Sequence, residues 1–540
     1  MDIKEQTYNL IDDLKATCQT YGLGNDGNEF KIITQVFLYK YLNDKFGYEI
    51  KKLSPKIASA EKWDEAYTAL TDKEREDLFD EMSPDVPWFK PEDLVASLWN
   101  QENKGDFDLI FDGVMTDISD TNAAIFSTKT TKKTQIPLFE KLTQYVTDEG
   151  ARADFARALV DKLVNFSFED AFSEGYDFFS QIFEYLIKDY NTSGGGKYAE
   201  YYTPHAIATI MARLLVGDDA DLHNMEIYDP SAGTGTLLIA LAHQIGEDKC
   251  TIFSQDISQR SNKMLKLNLI LNGLVSSLDN AIQGDTLTEP FHKADNGNDL
   301  RQFDYVVSNP PFKMDFSDTR EKIAGMPVRF WAGVPKEPPK KKESMPIYTL
   351  FIQHVLNSLK PNGKGAIVVP TGFLTAKSGI EKNIKLHIVD ENIVSGVVSM
   401  PSNVFATTGT NVSILFFDNS KKNDNVILID ASKMGEDYKD GKNKKRRLRK
   451  EEITQIVKAF RERENIDDFS VVVSYEDIKK KNYSLAAGQF FDIKIDYVEI
   501  TSEEFNTKIS EYNNKLEGLF LENNALEKDI KQQLETLRYE

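Results

Sequence analysis

Hydrophobic residues in the first 165 positions recur at helical intervals. Residues 30–42 place apolar side chains three or four positions apart, and a later stretch repeats this spacing with Phe155, Ala158, Leu159, Leu163 and Val164. No strand-like alternation of useful length separates the two stretches. The pattern predicts an all-α N-terminal domain over residues 1–165, in which nothing points to catalysis.

From residue 166 the pattern changes. An apolar helix face, 178–187, runs into a glycine cluster at 194–196, which predicts a flexible connector or lid. Short apolar runs follow, several with helical stretches between them, at 225–228, 251–254, 281–283, 305–308, 366–369, 393–399, 412–417 and 426–429. This rhythm predicts an α/β catalytic domain over 166–435 with a mostly parallel, doubly wound sheet, and makes 426–429 a candidate added edge strand.

The C-terminal part of the chain changes character again. Residues 436–498 are predicted to form an extension with a basic loop, and Thr501 with Glu504 forms a capping-box pattern. Spacings of four and three then alternate through Phe505, Ile509, Tyr512, Leu516, Leu519, Asn523, Leu526, Ile530, Gln533 and Leu537. An amphipathic helix packed on its own domain is one interpretation, but the sustained 3.5-residue period favours a coiled coil with a partner over 499–540.

Length and composition predict a globular protein of two to four domains, with 540 residues of which 41% are hydrophobic. No window approaches 18 uncharged apolar residues, and the start of the chain lacks the layout of a signal peptide. The two cysteines, Cys18 and Cys250, do not suggest a disulfide framework. We therefore expect a cytoplasmic location.

The formal net charge of -21 argues against nucleic acid wrapped over the whole surface. Positive charge is nevertheless concentrated in two places. Residues 441–450 contain seven basic residues, and Lys340, Lys341 and Lys342 follow a proline-rich loop. Each run is either a solvated loop or a local DNA contact.

The tetrapeptide Asn309-Pro310-Pro311-Phe312 directly follows the predicted strand 305–308. Ligands of open α/β sheets bind outside the carboxyl ends of the strands, so the tetrapeptide lies where chemistry is expected. The asparagine side chain can accept from an amino group, the prolines leave carbonyls without a neighbouring N–H, and the phenylalanine can stack on a flat heterocycle. A proline-rich turn without catalytic function has the same local sequence.

A glycine-rich turn, 229–236, follows the first predicted strand and opens a helix. It contains Asp229, Ser231, Gly233, Thr234, Gly235 and Thr236, but Leu238 stands where a dinucleotide fingerprint requires glycine, and the chain has no P-loop motif. These features favour a nucleoside ligand without a pyrophosphate.

Acidic residues end three successive predicted strands. Asp229 follows the first, Asp256 can accept both ribose hydroxyls after the second, and Asp285 can accept from an adenine amino group after the third. Singly, each acid suits a cap or a solvated position. Together they favour adenosine recognition with a carboxylate facing a cationic centre, and S-adenosylmethionine fits best.

In these motifs the chain resembles the DNA amino-methyltransferases of the γ class, in which the cofactor motif precedes the catalytic motif. It resembles most closely the modification subunit of type I restriction-modification systems. The features specific to that resemblance are 200–205, the long loop after the tetrapeptide, 351–354 leading to 365–370, the helical N-terminal region and the coiled C-terminus. The resemblance implies a Rossmann-like, S-adenosylmethionine-dependent methyltransferase fold over nearly the whole chain.

The activity implied by the resemblance is methylation of N6 of adenine in double-stranded DNA. The base must flip out of the helix, and Phe312 would stack on it. The side-chain oxygen of Asn309 and the carbonyl of Pro310 would accept the two N–H bonds of the amine, which frees its lone pair for attack.

The resemblance also assigns cofactor-binding residues, which are Glu200, Tyr201, Tyr202, Thr203, Pro204, His205, Thr234–Thr236 and Asp256. A satisfied surface imidazole is as good an interpretation of His205 as a cofactor contact. The six histidines show no metal-ligand spacing, so no metal site is predicted.

Partners follow from what the chain lacks. We find no region that would recognise a DNA sequence and no motor motif, so a specificity subunit and a restriction motor-nuclease subunit are expected, together with a second copy of this chain. The coiled C-terminus is the candidate docking segment for the specificity subunit. The loop 313–346, which contains Phe330, Trp331 and the three lysines, is a candidate DNA-facing lid.

Three alternative functions remain at this stage. N4-cytosine methylation and glutamine methylation of a protein share the tetrapeptide, although asparagine at its first position favours adenine. A cofactor-binding scaffold that gates a restriction complex is the third. The intact tetrapeptide argues against a scaffold without activity.

Overall fold

A sheet of nine strands organises the catalytic part of the chain. The computed structural model describes residues 2–24, 27–126, 128–129, 135–173, 176–193, 203–217, 221–297, 299–404, 411–420, 424–440, 443–491 and 500–536. The strands of the large sheet are β3 (Met225–Asp229), β4 (Cys250–Asp256), β5 (Ala281–Gln283), β6 (Phe303–Ser308), β7 (Leu359–Pro370), β8 (Val394–Ser399), β9 (Val412–Asp418), β10 (Asn425–Asp430) and β13 (Ser470–Ser474). Shorter strand pairs are β1 (Thr128–Lys129) with β2 (Gln135–Ile136) and β11 (Glu436–Asp440) with β12 (Asn443–Arg447).

The strand order is β13-β10-β8-β9-β7-β6-β3-β4-β5. Strands β5, β4, β3, β6 and β7 pair in parallel, and β9 pairs antiparallel with both β7 and β8. Because β10 is parallel to β8, seven of the nine strands end at the same edge, which we call the catalytic edge. The predicted mostly parallel α/β sheet is confirmed.

The sheet separates two hydrophobic cores. Along β7, Ala366 and Val368 belong to one core while Ile367 and Val369 belong to the other. Successive side chains of a strand point to opposite faces, so alternation between two buried environments means that both faces are covered. The continuous apolar runs in the sequence reflect this double burial.

One expectation about the sheet is wrong. Residues 426–429 do not form an edge strand, because β10 lies between β8 and β13. The outer position belongs to β13, which pairs antiparallel with β10. Val426 and Leu428 belong to one core and Ile427 and Ile429 to the other, so this row is apolar because both faces of β10 are buried.

Helices form nearly all of the N-terminal region. They are α1 (Ile3–Thr20), α2 (Gly27–Leu53), α3 (Pro55–Ala58), α4 (Trp63–Thr68), α5 (Asp72–Glu81), α6 (Val95–Trp99), α7 (Phe107–Thr121), α8 (Ala123–Phe126) and α9 (Arg152–Val164). Aromatic residues such as Phe37, Phe46 and Phe155 are fully buried in the first core, which also takes in one face of the sheet. The hydroxyl of Tyr41 donates to the carbonyl of Leu271, which joins this region to the catalytic helices. The predicted helical N-terminal region is confirmed, and its described residues add a short strand pair, β1–β2, that the all-α prediction did not include.

Further helices cover the sheet. They are α10 (Tyr176–Ser193), α11 (His205–Val216), α12 (Thr236–Ile245), α13 (Gln259–Leu271), α14 (Arg320–Ala324), α15 (Tyr348–Asn357), α16 (Gly372–Thr375), α17 (Gly379–Asp390), α18 (Lys450–Glu462) and α19 (Tyr475–Lys480). Residues Met1–Phe491 form one compact unit, and Asp492–Glu540 form a second. The finer boundaries at 165, 435 and 498 stay predictions.

The long segment after the tetrapeptide is packed rather than open. Phe316, Ile323, Phe330 and Met345 are buried in the second core. The buried guanidinium of Arg329 donates to the carbonyls of Thr286 and Leu287 and to Nδ1 of His354. The role of the segment 313–346 as a DNA-facing lid stays a prediction.

The basic run at 441–450 was expected to be a loop, and this is wrong for part of it. Residues 443–447 form strand β12, which pairs antiparallel with the acidic strand β11. Arg446 forms an ion pair with Asp437, and Arg447 forms one with Glu436. Acidic residues on the opposite strand therefore stabilise the basic strand in an extended conformation.

The second unit contains one long helix, α20 (Ser502–Thr536). The capping box is formed, because the Thr501 hydroxyl accepts from the amide of Glu504 and the Glu504 carboxylate accepts from the amide of Thr501. Its large apolar side chains are exposed, at Phe505, Ile509, Tyr512, Leu516, Leu519, Phe520, Leu521, Leu526, Ile530 and Leu534. The predicted helix is confirmed, and its coiled-coil partner stays a prediction. Across the described ranges, no helix is long and apolar enough to cross a membrane.

Candidate functional site

A cavity lies at the catalytic edge, where β3, β4, β5 and β6 end. Six stretches of sequence line it, namely Thr203, Asp229–Gly233, Asp256–Ile257, Asp285–Leu287, then Asn309 with Pro311 and Met314, and finally Ile347 with Phe351. Parallel strands bring their carboxyl ends to one edge, so residues far apart in sequence meet there. The structure thus brings together the three strand-end acids and the first residue of the tetrapeptide.

The side chain of Asn309 is oriented by Thr203. Its Nδ2 donates a hydrogen bond of 3.0 Å to Oγ1 of Thr203, which is 7% exposed. Since the amide nitrogen is engaged by the protein, Oδ1 is the atom left to accept from a ligand. The sequence predicts Thr203 as a cofactor contact; in the structure its hydroxyl contacts Asn309, the predicted catalytic residue.

Phe312 lies beside the cavity lining rather than within it. Its ring makes an edge contact with Tyr348, with the ring centroids 6.3 Å apart, and Tyr348 makes a similar contact with Phe373. Phe312 is half-buried and packs against both cores. An aromatic row therefore supports one side of Phe312 from α15 and α16.

The glycine-rich turn depends on backbone conformations that only glycine adopts easily. Gly233 has φ 53° and Gly235 has φ 82°. A Cβ atom on Gly235 would lie 2.2 Å from Cδ1 of Leu265. The side-chain amide of Asn268, on helix α13, donates to the carbonyl of Thr234 and so holds the turn in place. The turn is thereby held tightly enough for its backbone to approach a ligand.

Asp229 links the cofactor turn to the catalytic turn. Its Oδ1 accepts from the amide and hydroxyl of Ser231, and the Ser231 hydroxyl lies 2.7 Å from that of Ser308. Ser308 directly precedes Asn309 and is fully buried. Burial raises the pKa of Asp229 to about 8, and the charge of Asp256 adds to the rise. A cation in the cavity would favour the ionised form.

Asp256 and Asp285 both serve the backbone around the cavity. Asp256 accepts from the amides of Gly233 and Ser258, and burial raises its pKa. Asp285 accepts from the amide of Leu287 and from the hydroxyl of Thr288. Each carboxylate oxygen can accept more than one hydrogen bond, so these contacts leave capacity for a ligand.

The remaining predicted site residues differ in position. Glu200, Tyr201 and Tyr202 lie outside the described residues. Of the described part of that motif only Thr203 lines the cavity, while Pro204 caps α11 and His205 begins it. Nδ1 of His205 lies 3.3 Å from the hydroxyl of Thr209. The part of the glycine-rich turn that does not line the cavity consists of Thr234, Gly235 and Thr236. The hydroxyls of the two threonines are 3.2 Å apart.

Several lining residues were not predicted as site residues. They are apolar or follow a predicted acid: Pro230, Ala232, Ile257, Thr286, Leu287, Met314, Ile347 and Phe351. The sequence contained a signal for Ile257, because an apolar residue there directly follows a strand-end acid. In the structure its side chain is 56% exposed. Thr286 donates to the carbonyl of Pro230 and so ties two of the turns together. Within the described residues, no group of three or more His, Cys, Asp or Glu side chains is placed to hold a metal ion.

A buried polar network supports the cavity from below. Arg329 can only donate, so Nδ1 of His354 accepts and Nε2 carries the proton that faces the hydroxyl of Tyr228, 3.2 Å away. Burial and the charge of Arg329 hold the pKa of His354 well below its ordinary value. The network connects β3, α15 and the turn at Thr286 through Arg329.

Comparison with known proteins identifies the family. The N-6 DNA Methylase family model matches residues 174–512. The methylase subunit of the type I restriction enzyme MpnII of Mycoplasma pneumoniae is 28% identical over 388 residues, which cover 70% of this chain and 69% of the relative. That of MjaVIII of Methanocaldococcus jannaschii is 24% identical over 521 residues, covering 91% of this chain and 80% of the relative.

The fold is shared with a solved structure of the type I restriction-modification system methyltransferase subunit from Streptococcus thermophilus. The TM-score is 0.72 at 22% identity, and the match covers 91% of this chain and 99% of the other. The family match spans the cofactor turn, the tetrapeptide and the whole large sheet. The chain therefore belongs to the N-6 DNA methylase family and is a DNA methyltransferase of the type I modification-subunit kind.

Proposed function

We propose that this chain uses S-adenosylmethionine to methylate N6 of adenine in double-stranded DNA, as the modification subunit of a type I restriction-modification complex. The observation that carries the proposal is the hydrogen bond from Nδ2 of Asn309 to Thr203, in a cavity shared with three strand-end acids. It leaves the carbonyl oxygen of Asn309 to face an amine in the cavity. The names of the relatives support a role in a restriction system.

Two features of the cavity, its glycine-rich turn and its acidic side chains, support the proposed cofactor. The left-handed glycines leave room for close backbone approach, and a Cβ at Gly235 would collide with Leu265. Asp256 and Asp285 would accept from the ribose hydroxyls and the adenine amine, and the exposed side chain of Ile257 would pack on the adenine ring. The carboxylate of Asp229 would face the positive charge of the cofactor. When bound, S-adenosylmethionine supplies an electrophilic methyl group on a sulfonium.

The side chains of the catalytic turn act on the target amine. Its lone pair is delocalised into the adenine ring, which makes it a poor nucleophile. Oδ1 of Asn309 and the carbonyl of Pro310 would each accept one N–H bond, which pulls the nitrogen toward tetrahedral geometry and localises the lone pair. Catalysis then rests on positioning and electrostatics, and it requires no strong base.

Phe312 would hold the flipped base. Unstacking a base from duplex DNA costs a few kcal/mol, and stacking on an aromatic side chain returns about 1–3 kcal/mol. The edge contact with Tyr348 fixes the plane of the Phe312 ring before the base arrives. The proposed substrate is therefore an extruded adenine. Because that substrate is genomic DNA, the proposed location of the activity is the cytoplasm.

The proposed partners are a specificity subunit, a second copy of this chain and a restriction motor-nuclease subunit. Helix α20 supports the first of these, because its exposed apolar side chains recur with the 3.5-residue period of a coiled-coil seam. Exposed apolar rows of this length mark protein interaction sites. We propose that α20 docks the specificity subunit, which would choose the DNA sequence.

The test is transfer of a labelled methyl group from S-adenosylmethionine to unmethylated duplex DNA, with and without the specificity subunit. We expect label on N6 of adenine, and none from an Asn309→Ala variant. Asn425→Ala, at the opposite edge of the sheet where β10 begins, is the matched control and should keep full activity. Label on cytosine or on protein would contradict the proposal, as would an active Asn309→Ala variant.

The docking proposal needs a separate test. Removal of residues 501–540 should abolish co-elution with the specificity subunit and leave the melting temperature of the remaining unit unchanged. Leu516→Asp, in the apolar seam, should have the same effect, whereas the conservative Leu516→Ile should not. Normal assembly by the truncated chain would refute the docking role of α20.

A further inference from the structure

The segment that follows the tetrapeptide returns to the cavity at its far end. The amide of Met314, two residues after Phe312, donates to the carbonyl of Met345. Met314 and Ile347 both line the cavity that contains Asn309. Both ends of the stretch between Met314 and Met345 are therefore fixed beside the catalytic turn.

Three consecutive lysines, Lys340, Lys341 and Lys342, lie shortly before this point of return. The carbonyl of Lys341 accepts from the amide of Ser344, and that of Lys342 accepts from the amide of Met345. A turn closed in this way holds residues three positions apart within about 7 Å of each other. Backbone hydrogen bonds therefore place the lysines close to Met345, which is itself bonded to the cavity lining.

Contacts within the segment separate one structural lysine from two lysines without a structural partner. Nζ of Lys342 forms an ion pair of 2.6 Å with Glu337 and lies 3.5 Å from the hydroxyl of Ser317. Lys340 and Lys341 are exposed, and neither forms an ion pair with any described residue. The charges of these two lysines are available to a ligand.

The backbone of Lys341 adopts a conformation that lysine rarely takes. Its φ of 61° and ψ of 55° lie in the left-handed region, which glycine and asparagine enter at lower cost. Pro338 and Pro339 precede the lysines and restrict the backbone before them. Strain of this kind is stored where function requires it, so the turn indicates a cation held at a set position.

The charge of the segment is opposite to that of the protein. Residues 313–346 contain eight Lys or Arg and five Asp or Glu, a net charge of +3 in a chain of net charge -21. DNA is repelled by most of the surface and attracted to local positive charge. Lysine contacts to phosphate position a protein on the duplex without recognising sequence, which suits a chain whose sequence choice is assigned to another subunit.

We propose that Lys340 and Lys341 bind backbone phosphates of duplex DNA next to the adenine that enters the cavity. The inference rests on the proposed DNA methylation and assigns its backbone contact to two residues. A flipped nucleotide turns about its own backbone, so the phosphates beside it stay close to the mouth of the cavity. Two lysines held at this position keep those phosphates in place and so align the adenine with Asn309.

The test compares Lys340→Gln/Lys341→Gln with the wild-type full-length chain, by fluorescence anisotropy on a labelled DNA duplex over a salt series. We expect DNA affinity to fall about tenfold, and the slope of log Kd against log salt to flatten by about 0.9 for each lost phosphate contact. The melting temperature and the Kd for S-adenosylmethionine should stay at their wild-type values. Lys340→Arg/Lys341→Arg keeps both charges and should bind DNA as the wild-type chain does.

Lys249→Gln/Lys293→Gln is the matched control, because it removes the same charge at the opposite edge of the sheet. Lys249 directly precedes β4, and Lys293 pairs with Leu300 in the segment that leads into β6. An equal loss of affinity in this control, or in the arginine variant, would overturn the inference. Wild-type affinity and slope in the glutamine variant at 340 and 341 would also overturn it, as would absence of DNA binding by the wild-type chain. If the wild-type chain binds DNA through these lysines but transfers no methyl group, the proposed function fails and the lysine assignment stands.

Discussion

Replacing Thr203 by valine separates orientation of the catalytic amide from binding of the cofactor. Valine has nearly the shape of threonine but offers no acceptor to Nδ2 of Asn309, so the 3.0 Å hydrogen bond is lost. A hydrogen bond of this kind contributes about 1 kcal/mol net, which corresponds to about fivefold in rate. We expect kcat for methyl transfer to fall by about this factor, because Oδ1 of Asn309 is no longer held toward the substrate amine.

The assay combines single-turnover methyl transfer with calorimetric titration of S-adenosylmethionine. If Thr203 acts through Asn309, kcat falls while the Kd for the cofactor stays within about twofold, and Thr203→Ser restores the rate because it keeps the hydroxyl. A raised cofactor Kd with an unchanged kcat would refute this reasoning and support the cofactor role predicted from sequence.

Three further predictions concern the framework of the site. Gly235→Ala should lower the melting temperature and weaken cofactor binding at least tenfold, because its Cβ would meet Leu265 at 2.2 Å. Gly273→Ala, with φ 72° and open space around the added Cβ, should cost only about 1 kcal/mol. Asp229→Asn should raise the melting temperature of the ligand-free chain at pH 8 more than at pH 5. Arg329→Met should destabilise the chain by about 3 kcal/mol in urea unfolding, since it leaves buried acceptors unpaired.

The sign of the Asp229 prediction follows from burial. Burial raises the folded-state pKa to about 8, far above the ordinary value of 3.8, so between these values the folded state binds a proton that the unfolded state lacks. The free energy of unfolding contributed by Asp229 therefore falls as pH rises from about 4 to 8. Asparagine removes this dependence, so an equal gain at both pH values would contradict the assignment.

The other two predictions have equally direct refutations. Equal losses in Gly235→Ala and Gly273→Ala would show that backbone strain alone, without the contact to Leu265, sets the requirement for glycine. Full stability of Arg329→Met would show that the three hydrogen bonds of Arg329 do not anchor the segment after the tetrapeptide. Arg320→Met, which removes a partly exposed guanidinium from the same segment, is the control for the loss of charge.

Sequence reasoning found the strands and the acids of the site because short-range rules govern them. An apolar run that ends in Asp or Asn predicts a strand end whatever its neighbours are, and parallel strands bring such ends together. This rule does not say which strand lies at the edge of the sheet. The sequence therefore did not predict strand β13, and it placed β10 at the edge, where β13 lies. Strand pairing between residues 425–430 and 470–474 depends on packing across forty residues of intervening chain.

The order of residues along the chain was enough to predict the α/β class, the long C-terminal helix and the family, and to select the predicted cofactor turn and tetrapeptide. Each is set by residue type at short spacing, through backbone conformation, hydrophobic period or side-chain chemistry. The folded chain was needed to show that Thr203 contacts Asn309, that Ser231 contacts Ser308, and that Arg329 anchors the segment after the tetrapeptide. It also shows that part of the basic run pairs with an acidic strand. These are contacts between groups distant in sequence, and their geometry is set by how the sheet and its connections pack.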